Sequence, residues 1–118
     1  MLKQTMSRLS LSALIVAGTL GASAAAIASD DLSGTYSKYY ESIYLSQQCR
    51  GTEIDAAGWK KLADYIDNKV NHEIGAGERL TLIETAKTDA RVLKTTKGCA
   101  HQSVQDLLKV YDSELASL

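Results

Sequence analysis

Two cysteines and two histidines are the side chains of this sequence that could gather into one reactive centre, and their spacing decides which chemistry is open to them. Cys49, Cys99, His72 and His101 have the composition of a tetrahedral zinc site. Zinc ligands usually come in pairs a few residues apart, which lowers the cost of ordering them, and only Cys99 and His101 are near neighbours here. That spacing argues against a metal. A thiol oxidoreductase needs an attacking and a resolving thiol close in sequence, commonly as C-x-x-C. Cys49 and Cys99 are far apart, so the expected bond between them is a structural disulfide. Covalent haem requires C-x-x-C-H, which neither Gln48-Cys49-Arg50-Gly51 nor Cys99-Ala100-His101 supplies, and haem held by His and Met lacks a methionine beyond Met6. Gly75-Ala76-Gly77 begins like a dinucleotide fingerprint but lacks the third glycine and the preceding strand, so it reads as a helix stop. Serines and acids are plentiful, yet nothing pairs a nucleophile with a histidine base. The expectation is no catalytic residue, no metal and no cofactor.

Two other groups of side chains suit binding instead. Lys87, Arg91 and Lys94 line one edge of a helix and form a candidate anion-binding edge, although long basic stems on such an edge also serve to cover apolar surface. Four of the six tyrosines crowd between Tyr36 and Tyr44. Tyrosine supplies a large contact area with few rotors, so Tyr36, Tyr40 and Tyr44 form a candidate surface for a protein partner or for self-association. The plainer reading of the same rings is the core face of a first helix.

The elements that must carry these residues are all helical. Tyr36 to Gln48 reads as the first helix, after a polar lead-in from Asp30 to Gly34. Its tyrosine stripe conflicts with Leu45 and Cys49, which project to the opposite side of a regular helix. Either the helix stops before Cys49, or part of the tyrosine stripe faces water or a partner. A second helix opens on Asp55 as N-cap, with Ile54 and Trp59 spaced as a hydrophobic staple, and its apolar stripe runs through Leu62, Ile66 and Val70 to Ile74 before Gly75-Ala76-Gly77. The third runs from Gly77 to the stop at Gly98, with Leu82, Ile83, Ala86, Ala90 and Leu93 on one face. A fourth, capped by Gln102 or Ser103, carries Val104, Leu107, Leu108, Tyr111, Leu115 and Leu118 inward. Short connections then give an all-α fold, a compact array of four short helices stapled by one disulfide.

The N-terminus sets the compartment. Lys3 and Arg8, the apolar run Leu9 to Leu20 and the small residues ending in Ala26-Ile27-Ala28 form a cleavable signal peptide over residues 1–28, leaving 29–118 as a single exported domain with no stable membrane anchor. Both methionines leave with the signal, and acidic residues then outnumber basic ones. That balance offers no electrostatic footprint for nucleic acid. A disulfide suits the periplasm or the extracellular space.

In size, export signal, helical content and a single widely spaced cysteine pair, the chain is loosely similar to the HdeA-type periplasmic acid-stress chaperones. The similarity is one of class, without a shared motif, and it assigns a role to no residue; what it implies is chaperone activity in acid. The leading expectation from the residues themselves is a non-catalytic binding or envelope-stress accessory protein, with a small enzyme or metal-binding protein as the remaining alternative.

Overall fold

One helix decides how the others pack. The computed structural model describes residues 32–118, which pack as one unit and whose regular structure is entirely helical; the expected signal peptide lies outside the described residues. Helix α1 spans residues 32–50, so Leu32, Ser33 and Gly34 of the expected lead-in are already helical. Tyr36, Tyr39, Tyr40 and Ile43 are buried on one side, and Ser42, Leu45 and Ser46 are buried on another. At ~100° per residue these seven cover more than half of the helix circumference. The conflict between the tyrosine stripe and Leu45 with Cys49 thus has a third solution: the helix stays regular past Cys49 and both sides are covered by other helices. The buried serines satisfy their hydroxyls locally, Ser42 Oγ donating to the Tyr39 carbonyl at 2.6 Å and Ser46 Oγ pairing with Thr52 Oγ1 at 2.6 Å. Gly51, at φ 67°, ends the helix with its N–H on the Gln47 carbonyl, a left-handed position that glycine takes without a steric penalty.

Helix α2 spans Ala56–Lys69 and starts as the sequence predicts, the Asp55 carboxylate accepting from the Gly58 N–H at 2.7 Å. Its end differs from the prediction. The apolar stripe continues through Val70 and Ile74, both buried, but the helix stops before them. The His72 N–H donates to the Asp67 carbonyl and the Asn71 N–H to the Asn68 carbonyl, the paired bonds of a Schellman stop, with Asn71 and His72 at φ 56° and 57°. Asparagine enters the left-handed region more readily than most residues, which lets the stop form before the glycines. Gly75 instead caps the following helix, and Gly77 lies within it.

Helix α3, Ala76–Lys97, buries only the small side chains Ala86 and Ala90 completely, with Leu82, Ile83 and Leu93 half-buried. It ends at Gly98, whose φ of 91° and ψ of 155° belong to a region essentially restricted to glycine. Helix α4, Gln102–Val110, is capped by His101 rather than by Gln102 or Ser103: the imidazole Nδ1 accepts from the Ser103 N–H at 3.2 Å. The chain continues through Tyr111–Leu115 as a π-helical turn, in which the Ala116 N–H reaches back to the Tyr111 carbonyl. In this wider turn four residues make nearly a full revolution, so Tyr111 and Leu115 both face the core. Leu118, expected to follow them inward, is 44% exposed.

The core has two parts, both built on α1. Tyr36, Tyr39, Tyr40 and Ile43 pack with Leu62, Ile66 and Val70 of the second helix and its end, with Ala86, and with Tyr111 and Leu115. Leu45 packs with Ala90, Val104 and Leu108. Beside this second part, Cys49 in the last turn of α1 is bonded to Cys99, between α3 and α4, closing a sequence separation of 50 residues. On the chain-entropy account such a closure stabilises the fold by roughly 4 kcal/mol.

Candidate functional site

The tyrosines expected to form a partner surface are divided by the fold. Tyr36 and Tyr40 are 2% and 4% exposed, their ring centroids 5.0 Å apart, so the two rings belong to the core rather than to a broad exposed face. Tyr44 is half-buried and packs on Trp59, with ring centroids 5.9 Å apart. The physical reason is the central position of α1, which leaves the stripe little access to water.

Tyr36 and Tyr40 nevertheless line one open groove of about 340 Å3. Ala63 of α2 and Ala76 and Ile83 of α3 supply further walls, and small side chains at two of these positions leave the space between the helices unfilled. Leu80 lies beside it and is 68% exposed, the most exposed of the large apolar side chains among the described residues. Asp67 and Arg79 also line the groove, joined by an ion pair of 3.1 Å. Burial, and for Tyr40 also its contact with Tyr36, raises both phenols above their ordinary value of 10.0, so the hydroxyls bordering the groove are neutral at physiological pH. The groove is therefore apolar, with one charge of each sign on its wall. Leu80 escapes a helical-stripe reading because it falls outside the apolar face of α3; its exposure is the signal.

The π-helical turn carries a second arrangement. Glu114 Oε1 accepts from the Tyr39 hydroxyl at 2.7 Å and from the Tyr65 hydroxyl at 2.8 Å, and Lys69 Nζ stands 3.8 Å away. The Tyr39 and Tyr65 rings meet edge to face at 6.1 Å, and Lys69 lies over the Tyr65 ring. Two residues earlier, Asp112 accepts both guanidinium arms of Arg50 at 2.5 and 3.0 Å. The turn is thereby clamped to α1 at two points and to α2 at one. The hydroxyl of Tyr39, then that of Tyr65, holds the Glu114 carboxyl below its ordinary value, and Arg50 does the same for Asp112. This arrangement is a clamp by its geometry: each tyrosine donates to a carboxylate that is already ionised. A groove of about 490 Å3 lies next to the turn, between Tyr111, Leu115 and Leu118 on one side and Ile54, Gly58 and Leu62 on the other.

The basic edge of α3 is placed differently from its sequence reading. Lys87 and Arg91 are exposed, but Lys94 Nζ donates to the Gln48 carbonyl at 3.1 Å, so one member of the candidate anion edge holds the end of α1 beside the disulfide. His72 and His101 are both exposed, His72 in the turn after α2, with Nε2 2.8 Å from Asn68 Oδ1, and His101 at the α4 cap. Among the described residues, no group of three or more His, Cys, Asp or Glu side chains gathers where one ion could be held. No helix among them is long and apolar enough to cross a membrane. The disulfide is compatible with export.

Comparison of the chain with protein-family models, with curated proteins and with solved structures finds no match to any of them.

Proposed function

We propose that this chain is a small exported, non-catalytic binding protein of the cell envelope, and that it holds an apolar element of a protein partner in the groove between α1, α2 and α3. The observation that carries this reading is Leu80, 68% exposed at the side of an apolar groove lined by Tyr36, Tyr40 and Ile83. Water gains nothing from an isolated leucine, whereas a leucine next to a groove adds apolar area to whatever fills it. Tyr36 and Tyr40 contribute the rigid inner wall, and Asp67 with Arg79 sets the orientation of polar groups at the edge. The disulfide ties the end of α1 to the end of α3, two of the three walls of the groove, and would persist in an oxidising compartment. The test is site-specific photocrosslinking from position 80 in the native compartment, with Ala76→Arg as a variant that fills the groove from an exposed position. A discrete protein adduct that Ala76→Arg abolishes supports the reading; an adduct indifferent to Ala76→Arg removes the groove from it.

A second reading, chaperone activity in acid, is favoured by the clamp on the π-helical turn. Protonation of Glu114 and Asp112 weakens the contacts of that turn with α1 and α2, and loosening it bares Tyr111, Leu115 and the apolar surface beneath them. Suppression of client aggregation at pH 3 but not at pH 7, lost when Leu115 is replaced by Ser, is the expected outcome of this reading. Equal suppression at both pH values speaks against it.

A further inference from the structure

We propose that the groove beside the π-helical turn is a binding site in its own right, and that it takes a small organic cation, an apolar body carrying one ammonium group. It is independent of the groove between α1, α2 and α3: no residue lines both. At about 490 Å3 it is the larger of the two, and it falls within the range of recesses that hold small molecules. Ile54, Leu62, Tyr111, Leu115 and Leu118 supply its apolar lining. Tyr111 and Leu115 are held there by the π-helical turn, and single turns of this kind at the end of or within α-helices recur at functional sites. Leu118 stays 44% exposed, apolar area that an occupant takes out of water. No side chain projects from Gly58, where a Cβ would already stand 3.1 Å from Ile54 Cγ2 and 3.2 Å from Asp55 Oδ1, so this part of the wall is bare backbone.

Charge selects the ligand. Glu53 and Asp55 flank Ile54 and both line the groove, while no Lys, Arg or His lines it. Neither acid takes part in the ion pairs among the described residues. Asp55 spends Oδ1 on the Gly58 N–H as the cap of α2, which leaves Oδ2 to accept from a ligand. In the first groove, by contrast, the acid and the base on the wall are already paired with each other. Two carboxylates at the edge of an apolar recess attract an ammonium group and repel a carboxylate on a body of the same shape. An inorganic cation would gain nothing from the apolar lining, and a neutral apolar molecule would gain nothing from the acids. The class that uses both parts of the site is a cation with an apolar body.

The test is titration of the oxidised protein, followed by amide NMR shifts at pH 7, with three probes of similar body and different charge: 2-phenylethylammonium, 2-phenylethanol and 3-phenylpropionate. The ammonium compound is expected to saturate shifts at Ile54, Gly58, Tyr111 and Ala116, to bind about fivefold or more tightly than the alcohol, and to leave the carboxylate the weakest of the three. Glu53→Gln combined with Asp55→Asn, in which asparagine still caps α2, should bring the ammonium compound down to the level of the alcohol. Ala116 and Leu118 are exposed lining residues, so Ala116→Trp fills the groove and Leu118→Lys places a base in it without disturbing the core. The first should remove binding of all three probes and the second that of the ammonium compound, each in a protein of unchanged melting temperature, while Ala76→Arg in the other groove changes neither. Equal affinity for the ammonium compound and the alcohol, a preference that survives Glu53→Gln with Asp55→Asn, shifts that saturate elsewhere, or no saturable shift with any probe would each overturn the proposal.

Discussion

Tyr39 and Glu114 lie 75 residues apart and are joined by a hydrogen bond of 2.7 Å from the phenol to the carboxylate, which fastens the π-helical turn to the central helix. Tyr65 donates to the same oxygen, so removing the carboxylate strands two part-buried hydroxyls at once. Glu114→Ala is expected to lower stability by about 1–3 kcal/mol in urea unfolding, whereas Glu114→Gln, which keeps an acceptor oxygen, should cost less. Equal losses from the two variants would show that the acceptor is not what matters.

The pH dependence follows from opposite shifts at two glutamates. Glu114 is held below its ordinary 4.5, so its stabilisation is complete above that value and is lost as pH falls through the folded-state value. Asp112, held down by Arg50, acts in the same direction from its ordinary 3.8. Glu41 acts against them: burial first, then the charge of Asp89, raises it above 4.5, with Lys38 opposing, so its ionised form weakens the fold at neutral pH and protonation relieves that. Stability should therefore fall more shallowly with acid in Glu114→Gln than in the wild type. Glu41→Gln should stabilise at pH 7, with the gain vanishing in acid. Thermal melts between pH 7 and pH 3 read both effects.

Much of this fold is legible in the sequence because short-range patterns dictate it. The Asp55 cap and the Gly98 stop follow from local residue types, and the pairing of Cys49 with Cys99 from there being two widely spaced cysteines and no others. What sequence pattern misses depends on the surroundings. The stripe from Tyr36 to Tyr44 reads as one face, but only the packing of three other helices shows that the opposite side, with Leu45, is buried as well. The stripe through Ile74 is a correct statement about burial and a wrong one about helix, since an apolar residue can be buried from a turn; the Schellman bonds at Asn71 and His72 end the helix first. Glu114 carries no signal in the sequence, because its partners come from residues 39, 65 and 69. The groove is invisible for the same reason: Ala63 and Ala76 read as helix formers, and the space they leave exists only between helices.

Reduction of the disulfide should lower stability by roughly 4 kcal/mol, since it closes a separation of 50 residues beside the junction of α1, α3 and α4. Cys49→Ser with Cys99→Ser, compared with the oxidised protein in guanidinium unfolding, measures this directly. A change under 1 kcal/mol would mean that the unfolded chain is already restrained by other contacts.

Burial separates two isoleucines that the sequence places together in the core. Ile66 is fully buried, while Ile83 is half-buried and lines the groove. Ile66→Ala is expected to cost roughly 2–5 kcal/mol, and Ile83→Ala about half as much because part of its surface is already in water. Equal costs would indicate that the groove beside Ile83 is closed in solution.

The most direct test of the binding face is photocrosslinking from position 80 in the native compartment, compared with position 92 of the same helix. Leu80 lines the groove and Val92 does not, though both are exposed apolar residues of α3. A discrete adduct from position 80 alone, abolished by Ala76→Arg in a protein of unchanged melting temperature, is the predicted result. Adducts of the same pattern from both positions, or adducts from position 80 that persist in Ala76→Arg, would contradict the assignment of this groove as the site of binding.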